Sequence, residues 1–494
     1  MRAAQLSRFY AQLHEQYLLE CCEGVLDWDQ QVYLPAGAGA FRAAQLELLS
    51  RLIHDRVTAP AFVTLVNELV EQLPDLAFND QVNVRETKKQ IDRQSKLPAD
   101  FVAEKARLAA LAYTTWIKAR PISDWAAVEP CLTRLIELAR REAELVGYVE
   151  HPYDAHLDLF EPGCRVAVVK PLLLNLAEAL RELLNNLGSE FSAAPAAIEL
   201  PVDQQMRLCK IIAERLGYDF SRGRIDLTAH PFEATLGPCD ARITTRLFEN
   251  DFCSGLFSVI HETGHALYEL GLPEEYRGTP RGSAVSMGLH ESQSRLWENF
   301  VGRSQAFCTF LRAVMVEQAQ RAPFADERQL WLAINPVRPS LLRVEADEVT
   351  YGLHIAIRLI LEEALLEGTL QVSELPAAWD ELYLKYLGVS SPDLKDGVLQ
   401  DVHWFSGLFG YFPSYALGNL TAAMLVKTME QQIGSTAALV AGGHFKPILG
   451  WLRQKVHTHG KSYTSAELIQ LISGGPLTTA PFLDYLKNKF CSTK

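Results

Sequence analysis

The chain has 494 residues, 48% of them hydrophobic and 22% charged, with a formal net charge of −13. Such a composition describes an acidic globular protein with a large core, and the acidic balance excludes broad binding to nucleic acid or to anionic membrane surfaces. No apolar run reaches the length of a membrane span, the first eight residues contain no apolar signal core, and nine scattered cysteines without a C-x-x-C pair fit a reducing, cytoplasmic setting.

In chain order the pattern predicts helix after helix. Residues 6–26, 41–56, 61–73, 81–97, 100–120 and 128–146 place apolar side chains three and four apart with charged backs. Trp28-Asp29-Gln30 reads as an aromatic anchor in a turn or as part of a site, and the carboxylate-rich stretch 153–163 as a structural crossing. Helices resume over 166–187 and 202–216. The period then changes: 224–232 and 240–247 alternate polar and β-favouring residues between Gly223, Pro231, Gly237 and Pro238, which predicts a small sheet or hairpin. His230 and Arg242 would stand on its rigid edge, facing a cleft in which an extended peptide pairs with the strand. A turn histidine and an ordinary surface arginine are the plain alternatives.

Next comes an apolar helix that begins near Asp251 and stops at Gly271-Leu272-Pro273. It carries His261-Glu262-Thr263-Gly264-His265. Histidines four residues apart share a helix face and can aim at one divalent metal ion, while Glu262, about 100° round the helix, reaches a water without being a ligand. The next predicted helix, 290–299, carries Glu291, 30 residues beyond His261. Two histidines and one glutamate with a fourth position open form the ligand set of a catalytic zinc-type site. An acid four residues after such a glutamate often braces a ligand histidine; here that position is Arg295, so the brace must come from elsewhere.

Residues 341–368 read as one long helix on which Arg343, Asp347 and Tyr351 share a face, so that Asp347 would fix Arg343. The glycine- and aromatic-rich stretch 397–415 holds His403, Tyr411 and Tyr415 as hydrogen-bond donors. Thr464-Ser465-Ala466-Glu467 is a capping box.

Taken together, His261 to His265, His290-Glu291-Ser292-Gln293-Ser294-Arg295, His230-Pro231-Phe232, Asp240-x-Arg242-x-Thr244, Arg343-x-x-Ala346-Asp347 and Gly397-x-x-Gln400-Asp401-x-His403-Trp404 resemble the signature set of the thermostable carboxypeptidase Taq family of metallocarboxypeptidases. The resemblance runs from Trp28 to Tyr415. It departs from the family pattern only at Leu34-Pro35 and at Tyr276, neither of which touches a proposed ligand. It implies a mainly α, two-lobed, neurolysin-like body with a deep central groove and a small antiparallel β-sheet beside the active site, usually assembled as a homodimer. It further implies removal of single residues from peptide C-termini, with broad specificity and a poor response to C-terminal proline, using one zinc or cobalt ion per subunit. On this reading residues 1–494 form one catalytic unit, with 1–200 mostly an N-terminal helical lobe and 201–494 the sheet and metal site. His261, His265 and Glu291 are the ligands and Glu262 the general base. Arg343 or Arg242 binds the substrate carboxylate, and His403 or Tyr411 assists the oxyanion. The partners are peptides with a free C-terminus, with no nucleic acid and no membrane. An endopeptidase or dipeptidase of the same architecture, and a metal-binding scaffold without catalysis, stay open as alternatives.

Overall fold

A computed structural model describes residues 2–192, 199–318 and 326–491. In order come α1 (Arg2–Val32), α2 (Gly39–Val57), α3 (Pro60–Glu71), α4 (Phe78–Ser95), α5 (Ala99–Ala119), α6 (Trp125–Val146), α7 (Asp154–Phe160), α8 (Val166–Leu184) and α9 (Val202–Leu216). After β1 (Ile225–Leu227), β2 (Glu233–Gly237) and β3 (Asp240–Thr245) follow α10 (Phe252–Glu269), α11 (Met287–Arg295), α12 (Gln305–Glu317), α13 (Glu327–Ile334), α14 (Tyr351–Glu367) and α15 (Leu375–Leu387). The last helices are α16 (Phe412–Ile433), α17 (Thr436–Ala441), α18 (Lys446–Lys455), α19 (Ser465–Ser473) and α20 (Ala480–Phe490). Phe9, Phe62, Val66, Leu69, Val84 and Ile91 close a core of their own among α1, α3 and α4. A larger core runs from Phe101 on α5 to Phe490 on α20.

Three helices position the site, and glycine sets their spacing. The carboxylate of Asp251 caps α10 by accepting from the Ser254 N–H at 3.0 Å. Leu256, Phe257, Val259, Ile260 and Leu267 are buried along its length, each contributing about 1.5–3 kcal/mol. Ser286 caps α11 in the same way, accepting from the Leu289 N–H at 3.0 Å. A Cβ on Gly264 of α10 would lie 2.6 Å from Ser294 Cα and 2.7 Å from Gln293 O, so these two backbones touch only because residue 264 lacks a side chain. Gly418 does the same for α16, where a Cβ would sit 2.7 Å from Glu291 Cγ. Beyond Arg295 the chain does not leave the helix but widens to a π ladder over Leu296–Gly302.

The sheet corrects the expectation of an antiparallel one. Its order is β1-β3-β2; β2 and β3 pair antiparallel, and β1 pairs parallel with β3. The long helix expected over 341–368 also begins later, at Tyr351. Asp347 accepts from the Val349 and Thr350 N–H groups at 2.9 and 3.0 Å, and the Arg343 N–H donates to Gln400 Oε1 at 2.9 Å. Side-chain acceptors have therefore taken the donors that a helix ladder would use. Trp28 lies inside α1 rather than in a turn, and 154–160 is helical.

Glu161, 2% exposed, accepts from the Ser414 hydroxyl at 2.8 Å and from the Gly288 N–H. Burial pushes its carboxyl up to about 7. The folded state therefore holds this proton at a pH where the unfolded chain has released it. The resulting stabilisation is complete below about 4.5, the unfolded value, and is lost as pH rises through about 7. Glu161→Gln mimics the protonated acid at every pH. From pH 5 to pH 8 its stability relative to the wild type should rise on the order of 2–3 kcal/mol, measured from urea midpoints; a pH-independent difference would contradict this account.

Candidate active site

On α10, His261 and His265 present their Nε2 atoms to Glu291 Oε2 at 3.6 and 3.5 Å. One atom from each of the three residues lies within 4.8 Å of the others. Ligands about 2.1 Å from a tetrahedral ion stand roughly 3.4 Å apart, so this donor set fits a divalent metal in both chemistry and spacing. The opposite ring nitrogens are already engaged, which fixes both imidazoles. His261 Nδ1 meets Glu298 Oε2 at 2.9 Å, and His265 Nδ1 meets His290 Nδ1 at 2.5 Å. His290 Nε2 in turn meets Glu269 Oε1 at 3.2 Å. Burial and the neighbouring His290 push His265 down to about 3, so it is the neutral imidazole that a metal needs. Burial alone would raise Glu291, but Arg295 and the two histidines outweigh it and hold this carboxyl well below the usual carboxylate range.

Glu262 follows His261 on the same helix and is 7% exposed. Burial pushes it up to about 7, against the pull of His261. Its carboxylate accepts no hydrogen bond from any described residue, so it is free to take a proton. Beside it on β2, burial and Glu269 push Glu233 up to about 8.

The other expected residues fall into two groups. Arg343 is 6% exposed and reaches Asp401 Oδ1 through Nε and Nη2, both at 2.9 Å, while Nη1 donates to the Tyr351 hydroxyl at 3.0 Å. Asp347 does not hold it. Asp401 also takes Arg358, at 2.6 Å, which leaves the trio with one net positive charge. His403 belongs to the same wall: Nε2 is 3.2 Å from the Tyr415 hydroxyl, and burial pushes the ring down to about 4, so it is neutral. Tyr411 packs against His403 and Tyr415; burial and the nearby Glu291 push its hydroxyl up to about 12 and keep it a donor.

Arg242 stands on β3. Its Nε and Nη2 bind the two oxygens of Asp240 at 2.8 and 2.7 Å, and its guanidinium lies 4.4 Å from the Trp28 ring. Nη1 makes no hydrogen bond among the described residues. His230 is an exposed residue of the turn between β1 and β2, not a member of the strand edge.

Sequence reasoning missed Glu298, the partner of His261. It lies seven residues after Glu291, two helical turns on, and that spacing was the available signal. The fourth position after Glu291 is held by Arg295, which is no acid.

Residues 8–490 match the sequence model of a family described as carboxypeptidase Taq (M32) metallopeptidase. The thermostable carboxypeptidase 1 of Thermus thermophilus is 42% identical, with 94% of each chain covered. The carboxypeptidase 1 of Bacillus subtilis is 39% identical, again over 94% of each. Among solved structures, the M32 carboxypeptidase of Deinococcus radiodurans superposes with a TM-score of 0.93 at 36% identity, covering 98% of both chains.

Proposed function

The chain belongs to the carboxypeptidase Taq (M32) family of metallopeptidases, and on that premise we propose that it trims peptides one residue at a time from a free C-terminus, with broad specificity, at His261, His265, Glu291 and Glu262. The observation that carries this reading is the meeting of two Nε2 atoms and one carboxylate oxygen beside a buried glutamate that has no hydrogen-bond partner among the described residues. His261, His265 and Glu291 would hold one ion per subunit, zinc or cobalt, since both accept nitrogen and oxygen donors. When bound, the ion supplies Lewis acidity to water and to the scissile carbonyl.

The chain's own groups do the rest. In the loaded site the neighbouring positive charge favours ionised Glu262, the form a base needs. Glu262 takes a proton from the attacking water and returns it to the leaving amine. The Tyr411 hydroxyl, with neutral His403 behind it, donates to the oxygen on which negative charge develops. Arg242 binds the substrate carboxylate through its unbonded Nη1, held rigid by Asp240 and Trp28. Arg343 is tied to Asp401 through Nε and Nη2 and to Tyr351 through Nη1, and shapes the wall instead.

The chain acts as one catalytic unit, residues 1–200 supplying mostly the helical lobe and 201–494 the site. Phe41, Leu48 and Leu52 are exposed on α2 and support a homodimer. The cysteines are all unpaired thiols, which supports a cytoplasmic setting, and no described helix is long and apolar enough to cross a membrane.

The test is one peptide offered with a free and with an amidated C-terminus, followed by mass spectrometry, on protein whose metal content and sedimentation mass are known. Stepwise loss of single residues from the free form alone is expected; internal cleavage or release of dipeptides would reject the reading. Arg242→Ala should raise KM for the free form about 10–100-fold, the order of one lost charged hydrogen bond. It should change KM for an N-acyl amide only slightly. An equal effect on both would return the carboxylate to another cation.

A further inference from the structure

Arg295 lies four residues after the ligand Glu291, and its contacts reach both sides of the metal site. Its Nε donates to Glu291 Oε1 at 2.6 Å, and its Nη1 to Glu298 Oε2 at 3.2 Å, the same oxygen that meets His261 Nδ1. Glu298 Oε1 is taken by Arg303, at 3.3 and 3.2 Å. The Arg295 guanidinium also lies 4.7 Å from the Tyr351 ring. One planar fork therefore fixes a ligand carboxylate and, through Glu298, a ligand imidazole.

The two oxygens of Glu291 are not equivalent under this arrangement. Oε1 faces Arg295, and Oε2 faces both histidine Nε2 atoms. The Ser294 hydroxyl is 3.1 Å from Oε2 but closer, 2.7 Å, to the Glu291 carbonyl, which takes its single proton. A carboxylate free of such a tether can turn about its last bond and offer both oxygens to one ion.

We infer that Arg295 is a positioning residue that holds Glu291 as a one-oxygen ligand, so that the remaining coordination positions stay open for water and substrate. The inference rests on the ligand reading above. It makes an uncommon demand: removing Arg295 should impair turnover without weakening metal binding, because the freed carboxylate offers a further oxygen and a nearby positive charge is gone.

The experiment uses the full chain loaded with cobalt. Arg295→Met is expected to lower kcat about 10–100-fold, with a metal Kd no higher than that of the wild type and a weaker visible cobalt absorption, the signature of a raised coordination number. Arg295→Lys retains the charge, and with it the fold, but a single ammonium cannot span Glu291 and Glu298 as the fork does. It should show the same spectral change to a smaller degree, and it decides the matter if the methionine variant does not fold. Glu298→Gln, in contrast, should weaken metal binding about 10–100-fold and keep the wild-type spectrum. A Kd that rises 10-fold or more in both Arg295 variants would make the residue a mere scaffold and overturn the proposal. A wild-type spectrum and kcat in Arg295→Lys would overturn it equally, since charge alone would then suffice. If wild-type protein takes up no cobalt, the ligand reading fails and the inference falls with it; uptake at one ion per chain with altered variants isolates Arg295.

Discussion

Glu262→Gln should bind its metal as the wild type does and lose about 10²–10⁴-fold in kcat, the usual contribution of a positioned acid or base. Glutamine keeps the volume and the acceptor oxygen but cannot take a proton. The three ligand side chains lie at other positions, and the carboxylate that is lost accepts no hydrogen bond from any described residue, so no partner is orphaned. Folding is therefore spared while proton transfer is not. Metal analysis alongside kcat on a free-carboxylate peptide checks the prediction. Turnover within a few-fold of the wild type would remove Glu262 from the proton path.

Gly264→Ala should damage the fold and the metal site together. Its Cβ would meet Ser294 Cα at 2.6 Å, Gln293 O at 2.7 Å and Ser294 N at 3.0 Å, all backbone atoms that cannot rotate away. Either α10 or α11 must shift, and the two helices carry opposite halves of the ligand set. Overpacking of this kind costs about 1–3 kcal/mol. Separating the histidines from Glu291 should also weaken metal binding by about 10-fold or more, each 1.4 kcal/mol being one decade. Thermal unfolding and chelator competition, read on the same preparation, should move together; a loss of stability at unchanged metal affinity would mean that the helices part elsewhere.

How much of this was legible in sequence depends on how local the cause is. Spacing of four on a capped helix places His261 and His265 on one face, and the Asp251 start and the Thr464–Glu467 capping box fell where the side-chain chemistry requires them. The glycine and proline around residue 238 mark the start of β3, whereas β2, Glu233–Gly237, falls between the two segments whose alternation is visible. The parallel pairing of β1 with β3 has no local signal, because its partners are set by how the chain returns. The helical spacing of Arg343, Asp347 and Tyr351 misled for a related reason. Gln400 and Asp401 arrive from a distant segment and capture the Arg343 N–H and guanidinium, which local periodicity cannot anticipate. The pairing of Arg242 with Trp28 is likewise a product of tertiary folding.

The irregular stretch Leu296–Gly302 sets a limit on redesign. Its ladder accommodates one more residue per hydrogen-bonded ring than an α-helix. Deleting Leu296 or Trp297 to regularise it would turn Glu298 by about 100° relative to Glu291 and carry it away from His261. Any hardened version of this scaffold must keep the count of residues between Glu291 and Glu298, since losing one position there leaves the imidazole of His261 unbraced.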